Sequence, residues 1–411
     1  MSCSGGTSAP SGHQTSGLPF RAFVSNPLQP SLGGAVPVLN IINATSDVQT
    51  VFRVSLSGTQ NPGLMAESPN LGFTMIYDSA TNFVALVDNA REGPAVSVSG
   101  MNLPFIALPG PTESMFVATD NATGYAAVPT APQSNPQLPP GGVIAMGLAS
   151  GTLAANVPVA GARFVAGSHN GNRVLAFADN SNQVVVIAPS LIGTSTDPRT
   201  FVCCFDHPVW GVFSSDDTRA YIFSCGAECA GTAASITVLD LTTNTAGVSV
   251  PVPGATYGML NGNTLYVAGS PPGNACPSGT PVSLCGTLTV LDVSGAVPMV
   301  TNSAPIAITD GYHNRVELGA NGQVFIGAKN CSNALGQRGC LTIFNTVTAG
   351  VVVPPATGDV TGIAPVTGRN AVYVCQGGAF FIYDTTTDQL AVLETPLSIV
   401  GRAVDVKIVD P

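Results

Sequence analysis

Short apolar stretches alternate with polar turns along almost the whole chain, and one unit of this pattern recurs about eight times. Each unit has a short apolar strand, a polar or Gly-rich hairpin, a second alternating strand that ends in Asp or Asn, and a Thr/Gly turn. The clearest copies span residues 220–244, 265–295, 324–350 and 372–389. Such units cannot bury their faces alone, so we expect the copies to pack side by side. Radial packing of four-stranded blades predicts an all-β fold, a single β-propeller.

The spacing of the innermost strands predicts the number of blades. We place these strands near Leu64, Phe105, Phe164, Gly211, Tyr257, Val316, Gly362 and Val404. The segment 402–410 has no strands after it, while the strands within 20–56 lack an innermost partner. Joining both chain ends in one blade predicts eight blades and leaves no open sheet edge. Seven blades is the alternative, because the unit at 105–160 is irregular and carries a Pro-rich insert at 129–142.

The repeated unit resembles the YVTN-type, or YncE-like, propeller repeat. Its hallmark is a Tyr-Val strand, then Val-x-Val-Ile-Asp, then a Thr-Asn turn. Here it reads Leu-Tyr-Val-Ala-Gly at 265–269 and Leu-Thr-Val-Leu-Asp at 288–292, with Leu-Thr-Thr-Asn at 241–244 in the copy before. The resemblance covers nearly the whole chain and implies the propeller fold. Members of that family include surface proteins, lactonase-like enzymes and propeller subunits of redox enzymes, so the resemblance does not fix a function.

Composition supports a β-rich chain and argues against one class of partner. Of 411 residues only 9% are charged, whereas Gly and Pro number 46 and 33. Lys occurs only at positions 329 and 407, so long helices with a 3.6-residue period are not expected. The net charge of −10 argues against nucleic acid as a partner, because phosphate binding needs clustered Lys and Arg.

The N-terminal segment differs from the rest of the chain. Residues 1–17 are rich in Ser, Gly and Pro and predict a flexible tether before a propeller domain at 18–411. Ser2-Cys3 followed by Ser-Gly-Gly resembles the mature start of a bacterial lipoprotein. That resemblance implies lipidation of Cys3, a membrane contact through this lipid, and a place in the bacterial cell envelope, anchored to the outer membrane or extracellular. The alternative is a stray cysteine near the N-terminus.

Six cysteines flank the equivalent hairpin in three successive units. Equivalent placement predicts three disulfides, each within its own blade, and an oxidising compartment. The pairs are Cys225 with Cys229, Cys276 with Cys285, and Cys331 with Cys340. A zinc site is the rival interpretation, but tetrahedral zinc needs four ligands in one place. Adjacent Cys203 and Cys204 are compatible with a vicinal disulfide, and Cys375 is expected to lie buried in a strand.

Ligands of propellers usually bind at the central face, which is reached by the loops that enter the innermost strands. These loops and strand starts supply the candidate ligand-binding residues Arg163, His207, Trp210, Tyr257, His313, Arg315 and Arg402. Aromatic, Arg and His side chains around one channel predict an anionic or carbohydrate-like ligand. The alternative is that these residues only close the channel mouth.

No recognisable catalytic motif is present. The sequence lacks Gly-x-Ser-x-Gly, His-Glu-x-x-His and a phosphate-binding loop. Five acids are candidates for a lactonase-like site but show no spacing pattern, namely Glu67, Glu113, Asp216, Glu317 and Asp405. The sequence therefore leaves the catalytic residues, if any, unknown, and predicts no cofactor or metal ion.

These observations favour a lipid-anchored binding or scaffold protein of the cell surface or periplasm, with a protein, glycan or small ligand as its partner. One alternative is a lactonase-type hydrolase with a site in the central channel. A further alternative is a non-catalytic subunit of a redox or filamentous extracellular assembly, since large apolar surface patches mark interfaces.

Overall fold

A computed structural model describes residues 15–31, 33–96, 103, 105–272, 276, 280–332, 339–391 and 397–411. The described residues form eight antiparallel sheets, and the prediction of an eight-bladed all-β propeller is confirmed. Cys3 and most of the predicted tether lie outside the described residues. Ser16, at the end of that segment, donates its backbone N–H to the carboxylate of Glu92 over 2.5 Å.

The strands are short and mostly apolar, as the alternating pattern predicts. In the described residues they are β1 (Arg21–Ser31), β2 (Gly34–Asn43), β3 (Val48–Ser55), β4 (Pro62–Glu67), β5 (Phe73–Asp78), β6 (Phe83–Asp88), β7 (Gly93–Pro94), β8 (Ile106–Ala107), β9 (Ser114–Val117), β10 (Thr123–Val128), β11 (Gly142–Gly147), β12 (Thr152–Pro158), β13 (Ala162–Gly167), β14 (Val174–Ala178), β15 (Gln183–Ile187), β16 (Arg199–Cys203), β17 (Pro208–Phe213), β18 (Arg219–Cys225), β19 (Ala234–Asp240), β20 (Thr245–Pro251), β21 (Tyr257–Asn261), β22 (Thr264–Gly269), β23 (Gly286–Asp292), β24 (Met299–Val300), β25 (Ile306–Ile308), β26 (Tyr312–Leu318), β27 (Gln323–Lys329), β28 (Leu341–Asn345), β29 (Val351–Val352), β30 (Val360–Pro365), β31 (Ala371–Gln376), β32 (Ala379–Asp384), β33 (Gln389–Leu390) and β34 (Val406–Ile408).

Helix is confined to short 3-10 turns. Those in the described residues are Pro189–Leu191, Gly226–Cys229 and Val282–Leu284. None of the helices in this part of the chain has the length and hydropathy needed to cross a membrane.

Each blade is an antiparallel sheet whose first strand lies at the centre of the ring. Blade 1 is β4–β8, blade 2 is β9–β12, blade 3 is β13–β16 and blade 4 is β17–β20. Blade 5 is β21–β25, blade 6 is β26–β29, blade 7 is β30–β33, and blade 8 combines β34 with β1–β3. We call the side of the ring where the innermost strands begin the entrance face. The crossovers between blades and the hairpins between second and third strands lie on this face.

Blade 8 closes the ring in the predicted way, with strands from both chain ends. The last strand pairs antiparallel with β1, so that Ala22 lies opposite Ile408. The buried guanidinium of Arg21 binds the carboxylate of Asp410 at 2.6 Å and that of Glu92 at 2.7 Å. These ion pairs link the C-terminal strand to blade 1, so they stabilise the closed ring together with strand pairing.

One innermost strand differs from the sequence prediction. Phe105 precedes β8, which pairs with β6 at the outer side of blade 1, and the innermost strand of blade 2 is instead β9, Ser114–Val117. The Pro-rich insert joins β10 to β11 on the entrance face. The irregular spacing of this unit came from extra residues in the crossover, and it does not reduce the number of blades.

Candidate functional site

The eight innermost strands surround a central cavity of about 380 Å³. Its lining includes at least one residue from every blade, from Leu64 in blade 1 to Val404 in blade 8. This volume lies within the roughly 300–1,000 Å³ of small-molecule sites in proteins. A second cavity of about 730 Å³ lies at the entrance face and shares Glu113, Phe164 and Lys329 with the central one. We call this second cavity the mouth.

Blades 3 to 5 give the central cavity an aromatic wall. The rings of Trp210 and Tyr257 stack with centroids 4.5 Å apart, and Phe164 meets Trp210 edge-on at 6.3 Å. The indole N–H of Trp210 donates to the carbonyl oxygen of Gly258 at 3.3 Å. Stacking fixes the ring planes, so this wall offers a flat apolar surface with preset geometry. We call Phe164, Trp210 and Tyr257 the aromatic arc.

Blades 6 and 8 give the cavity a charged wall. This charged arc consists of Arg315 and Glu317 from β26, and Arg402, Asp405 and Lys407 from the C-terminal segment. Asp405 is buried and its carboxylate accepts the backbone N–H groups of Met65 at 2.8 Å and Val406 at 2.9 Å. Those two bonds satisfy the carboxylate of Asp405 without a cation of the arc.

Two carboxyl groups, Glu317 of the charged arc and Glu67 beside the arc, are influenced by the cations of the arc. Burial raises the pKa of Glu67, at the end of β4, to about 7, while the positive charge of Lys407 opposes the shift. Burial also raises the pKa of Glu317, against the charges of Lys407 and Arg315. Oε1 of Glu67 has no hydrogen-bond partner among the described residues. Glu67 is therefore a carboxyl group that changes its charge near neutral pH.

The cations around the central cavity have no carboxylate partner among the described residues. Both lysines of the chain, Lys329 and Lys407, line the cavity together with Arg315 and Arg402. None of these four side chains forms an ion pair within the described ranges, although four other arginines do. Burial lowers the pKa of Lys329, and the nearby charge of Arg315 lowers it further. Arg315, Lys329 and Lys407 are only partly exposed, and a bound anion would compensate for the hydration that they lose there.

The mouth is framed by an ion-pair cluster and by polar side chains. Arg163 binds both oxygens of Asp179, at 2.5 and 2.6 Å, and Oε1 of Glu113 at 2.8 Å. His207 also borders the mouth, with its Nδ1 3.3 Å from Oδ1 of Asp206. Arg163 is thus already satisfied by carboxylates, unlike the cations deeper in the channel.

The predicted site residues therefore divide into three groups. Trp210, Tyr257, Arg315 and Arg402 line the central cavity. Arg163 and His207 border the mouth. His313 also borders the central cavity, but it is fully buried and its Nε2–H donates to the carbonyl oxygen of Thr309 at 2.9 Å.

The predicted ligand-binding role of His313 stays a prediction. The innermost strand of blade 6 shifts register between His313 and Arg315, and both residues border the cavity. Burial lowers the pKa of His313 to about 4. The imidazole is therefore neutral at physiological pH.

The site reasoning from sequence missed the two lysines. Their rarity was the available signal, since a chain with two lysines places both at one cavity. The sequence gives Glu67, Glu317 and Asp405 no spacing pattern that marks them as site residues. Ring closure brings the strands that carry them to the same channel, which no local spacing could show. In the described residues no three His, Cys, Asp or Glu side chains are grouped closely enough to hold a metal ion.

The three predicted disulfides are present in the described residues, in the hairpins of blades 4, 5 and 6. They join Cys225 to Cys229, Cys276 to Cys285, and Cys331 to Cys340. Cys375 is fully buried on β31, as expected. Three disulfides on the entrance face indicate an extracellular or periplasmic location, where such bonds persist.

Comparison with known proteins identifies the fold and no closer relationship. No family model and no curated protein matches the sequence. Among solved structures, dihydro-heme d1 dehydrogenase NirN matches with a TM-score of 0.60 and 12% identity over 98% of this chain and 78% of that one. Kuenenia stuttgartiensis hydrazine synthase matches with a TM-score of 0.57 and 13% identity over 83% and 97%. The periplasmic gluconolactonase PpgL of Pseudomonas aeruginosa matches with 0.53 and 13% over 95% and 98%. At these identities the likeness shows a shared β-propeller fold, and the YVTN-type assignment stays a prediction.

Proposed function

We propose that this protein is a binding protein of the bacterial cell envelope, whose central cavity takes a small anionic ligand with a ring-shaped face, such as a sugar acid. One observation carries the proposal. Four cations without ion-pair partners in the described residues line a cavity whose other wall is the stack of Trp210 on Tyr257.

The charge balance of the cavity supports an anion. Its lining holds four cations, Arg315, Lys329, Arg402 and Lys407, and three carboxyl groups, Glu113, Glu317 and Asp405. The whole chain, in contrast, carries a net charge of −10. Of the three carboxylates, Glu113 is paired with Arg163 and Asp405 accepts backbone N–H groups. The four cations and Glu317 therefore keep free bonding capacity, and a carboxylate or phosphate ligand would satisfy the cations.

The aromatic arc supports a ligand with one flat, weakly polar face. Trp and Tyr rings pack against the C–H face of a sugar or against another ring while their polar edges stay bonded elsewhere. A cavity with an apolar wall and a few convergent polar groups is the usual form of a small-molecule site. The acidic group of the ligand would face Arg315 and Lys407, with its ring against Trp210 and Tyr257.

Trp210 provides the assay, because it is the only tryptophan of the chain. Titration with glucuronate, gluconate and uncharged glucose should change the fluorescence for the acids only, and calorimetry should give matching affinities. Arg315→Gln and Lys407→Gln should each weaken binding by roughly 10- to 100-fold, as expected for a hydrogen bond to a charged group. Arg173→Gln removes a partly exposed cation outside the cavity and should leave binding unchanged. Equal responses to acid and glucose would contradict the proposal.

Envelope anchoring through Cys3 is part of the proposal and rests on Ser2-Cys3-Ser-Gly-Gly. Expressed with a lipoprotein signal sequence, the protein should incorporate labelled palmitate and partition into detergent. A triacylated cysteine should hold firmly, since stable anchoring needs more than one acyl chain. Cys3→Ala should abolish both results, and unchanged membrane association of this variant would refute the anchor without affecting the cavity assignment.

A lactonase-type hydrolase is a second candidate, favoured by Glu67. Its pKa of about 7 and the neighbouring charge of Lys407 suit a group that accepts a proton near neutral pH. The protein is incubated with glucono-δ-lactone, with and without divalent cations, and the acid that hydrolysis releases is measured at constant pH. This experiment separates the two functions. Turnover that Glu67→Gln abolishes would favour the hydrolase. Binding of gluconate without turnover of the lactone would favour the binding protein.

A further inference from the structure

Cys203 and Cys204 are adjacent, exposed cysteines at the end of β16, and neither takes part in a disulfide. Their Sγ atoms are 2.7 Å apart. That separation is little longer than the roughly 2.05 Å of a disulfide bond. In the described part of the chain the other cysteines are in the three hairpin disulfides or, for Cys375, buried. Cys203 and Cys204 are thus the accessible thiol pair of that part.

The backbone at this pair is strained. Cys204 has φ 80, in the left-handed region that residues with a side chain rarely adopt. Such conformations persist where surrounding contacts impose them, and they are concentrated at functional sites. The residue in the left-handed conformation is Cys204 and not a glycine, so its backbone conformation is unfavourable.

The pair begins the crossover that leads from blade 3 to the mouth. Two residues on, Asp206 accepts hydrogen bonds from the backbone N–H groups of Thr232 and Ala233, both at 2.8 Å, and so holds the hairpin that carries the disulfide of blade 4. The next residue, His207, borders the mouth. The cysteine pair therefore lies at the rim of the entrance face, next to the candidate site and outside it.

We propose that Cys203 and Cys204 form a reversible redox pair, which exchanges with an external disulfide of the glutathione type to close a vicinal disulfide at this rim. The inference does not depend on the identity of the channel ligand. It adds a site of thiol–disulfide exchange to a protein whose other described disulfides are structural.

The reaction balances without a cofactor. One cysteine thiolate attacks a sulfur of the external disulfide, which forms a mixed disulfide and releases one external thiolate. The second cysteine thiolate then attacks the protein sulfur of the mixed disulfide, closes the vicinal bond and releases the second external thiolate. The two thiol protons pass to the two released thiolates, and the two electrons reduce the external disulfide to two thiols.

This pair should exchange more readily than the hairpin disulfides. Strained or exposed disulfides have more oxidising potentials than structural ones, and they are the ones that open in mild reductant. Cys203 and Cys204 meet both conditions, exposure and a left-handed backbone, whereas Cys225, Cys285 and Cys340 are buried. A vicinal bond here would therefore open and close while the three hairpins stay oxidised.

The test is alkylation with peptide mass spectrometry after equilibration in buffers of graded reduced-to-oxidised glutathione ratio. As the buffer becomes more oxidising, the peptide with Cys203 and Cys204 should change from doubly alkylated to unalkylated and two hydrogens lighter. The six hairpin cysteines should stay unalkylated throughout the transition. A peptide that stays doubly alkylated at every ratio, or that collects separate glutathione adducts without closing, would overturn the proposal.

Two variants distinguish ring closure from general oxidation. In Cys203→Ser the remaining Cys204 should collect one glutathione in the same oxidising buffers, since it has no neighbour to displace the adduct. Cys375→Ser removes the buried thiol and should leave the transition at the same ratio. Both substitutions are isosteric, and the melting temperature of each variant checks that it is folded. Loss of the transition in Cys375→Ser would show that Cys203 and Cys204 are not each other's partners.

Discussion

The aromatic and charged arcs of the central cavity are built on the same backbone but have opposite energetics. The innermost strands of blades 3, 4 and 6 each shift register just before Phe164, Trp210 and Arg315, respectively. A bulge of this kind re-aims the next side chain, and here that side chain lines the cavity. In blades 3 and 4 the position stabilises the fold by apolar packing, whereas in blade 6 it holds a cation that the fold does not pair. The repeated blade places a side chain at the same position beside the cavity. The type of residue at that position decides whether the side chain stabilises the fold or is available to bind a ligand.

The largest expected effect comes from removing the strand that carries part of the charged arc. Deletion of residues 402–411 removes β34 and the buried side chains of Val406, Ile408 and Val409. Each such burial contributes about 1.5–3 kcal/mol, and the sum approaches the stability of a typical domain, about 5–15 kcal/mol. The ring would also gain open sheet edges, which invite aggregation. We expect insoluble protein or a melting temperature far below that of the parent.

Deletion of Pro411 alone is the matched control for this truncation and should leave melting unchanged. Circular dichroism melting and the soluble yield measure both proteins. A long truncation that melts like the parent would refute closure by the C-terminal strand, and with it the charged arc as a part of the fold.

The aromatic arc should lose stability when its central ring is removed. Trp210→Ala deletes the stack on Tyr257 and the edge contact with Phe164. Loss of a large packed aromatic costs about 3 kcal/mol, and urea denaturation should show this. Trp210→Phe keeps a ring and should lose much less. Equal stability of the Ala variant and the parent would show that the arc serves binding alone.

Removal of the carboxyl group of Glu67, which lies beside the charged arc, should instead increase stability, because an ionised Glu67 is unfavourable in the folded protein. Its pKa is raised from 4.5 to about 7, so the unfolded chain releases this proton first. Stability is therefore full below pH 4.5 and falls as pH rises from 4.5 to about 7. Glu67→Gln removes the penalty and should stabilise the protein by roughly 2 kcal/mol at pH 8 while leaving it unchanged at pH 4. Destabilisation at pH 8 would mean that the carboxylate is paired in solution.

The smallest expected effect concerns His313, which borders the cavity but is fully buried. Its folded pKa of about 4 lies below the ordinary 6.5, so the unfolded chain binds the proton first and stability falls as pH drops from 6.5 to 4. His313→Gln should remove this acid dependence and cost about 1 kcal/mol at pH 8 for the altered bond to Thr309. It should leave ligand affinity unchanged. The control His207→Gln, at the mouth, should keep the acid dependence of the parent.

The sequence by itself determined the architecture. Alternating apolar strands at a regular spacing required side-by-side packing, and the unpartnered strands at the two chain ends required a shared closing blade. The hairpin cysteines could be paired because equivalent positions in successive units keep each pair within one loop. These conclusions rest on local patterns that repeat, and the extra residues before β9 misled only the placement of Phe105.

Only the tertiary structure decided which side chains meet. Glu67, Glu317 and Lys407 lie far apart along the chain, and ring closure brings their strands to one channel. His313 and Arg315 are two residues apart on either side of a register shift and both border the cavity, yet the first is fully buried and bonded to Thr309 while the second is partly exposed. The apolar pattern of a strand does not show where a bulge lies. The spacing of residues in the sequence does not show which residues of different blades lie close together around the channel. The repeat could therefore be predicted from local physics, while the site depended on the closed ring.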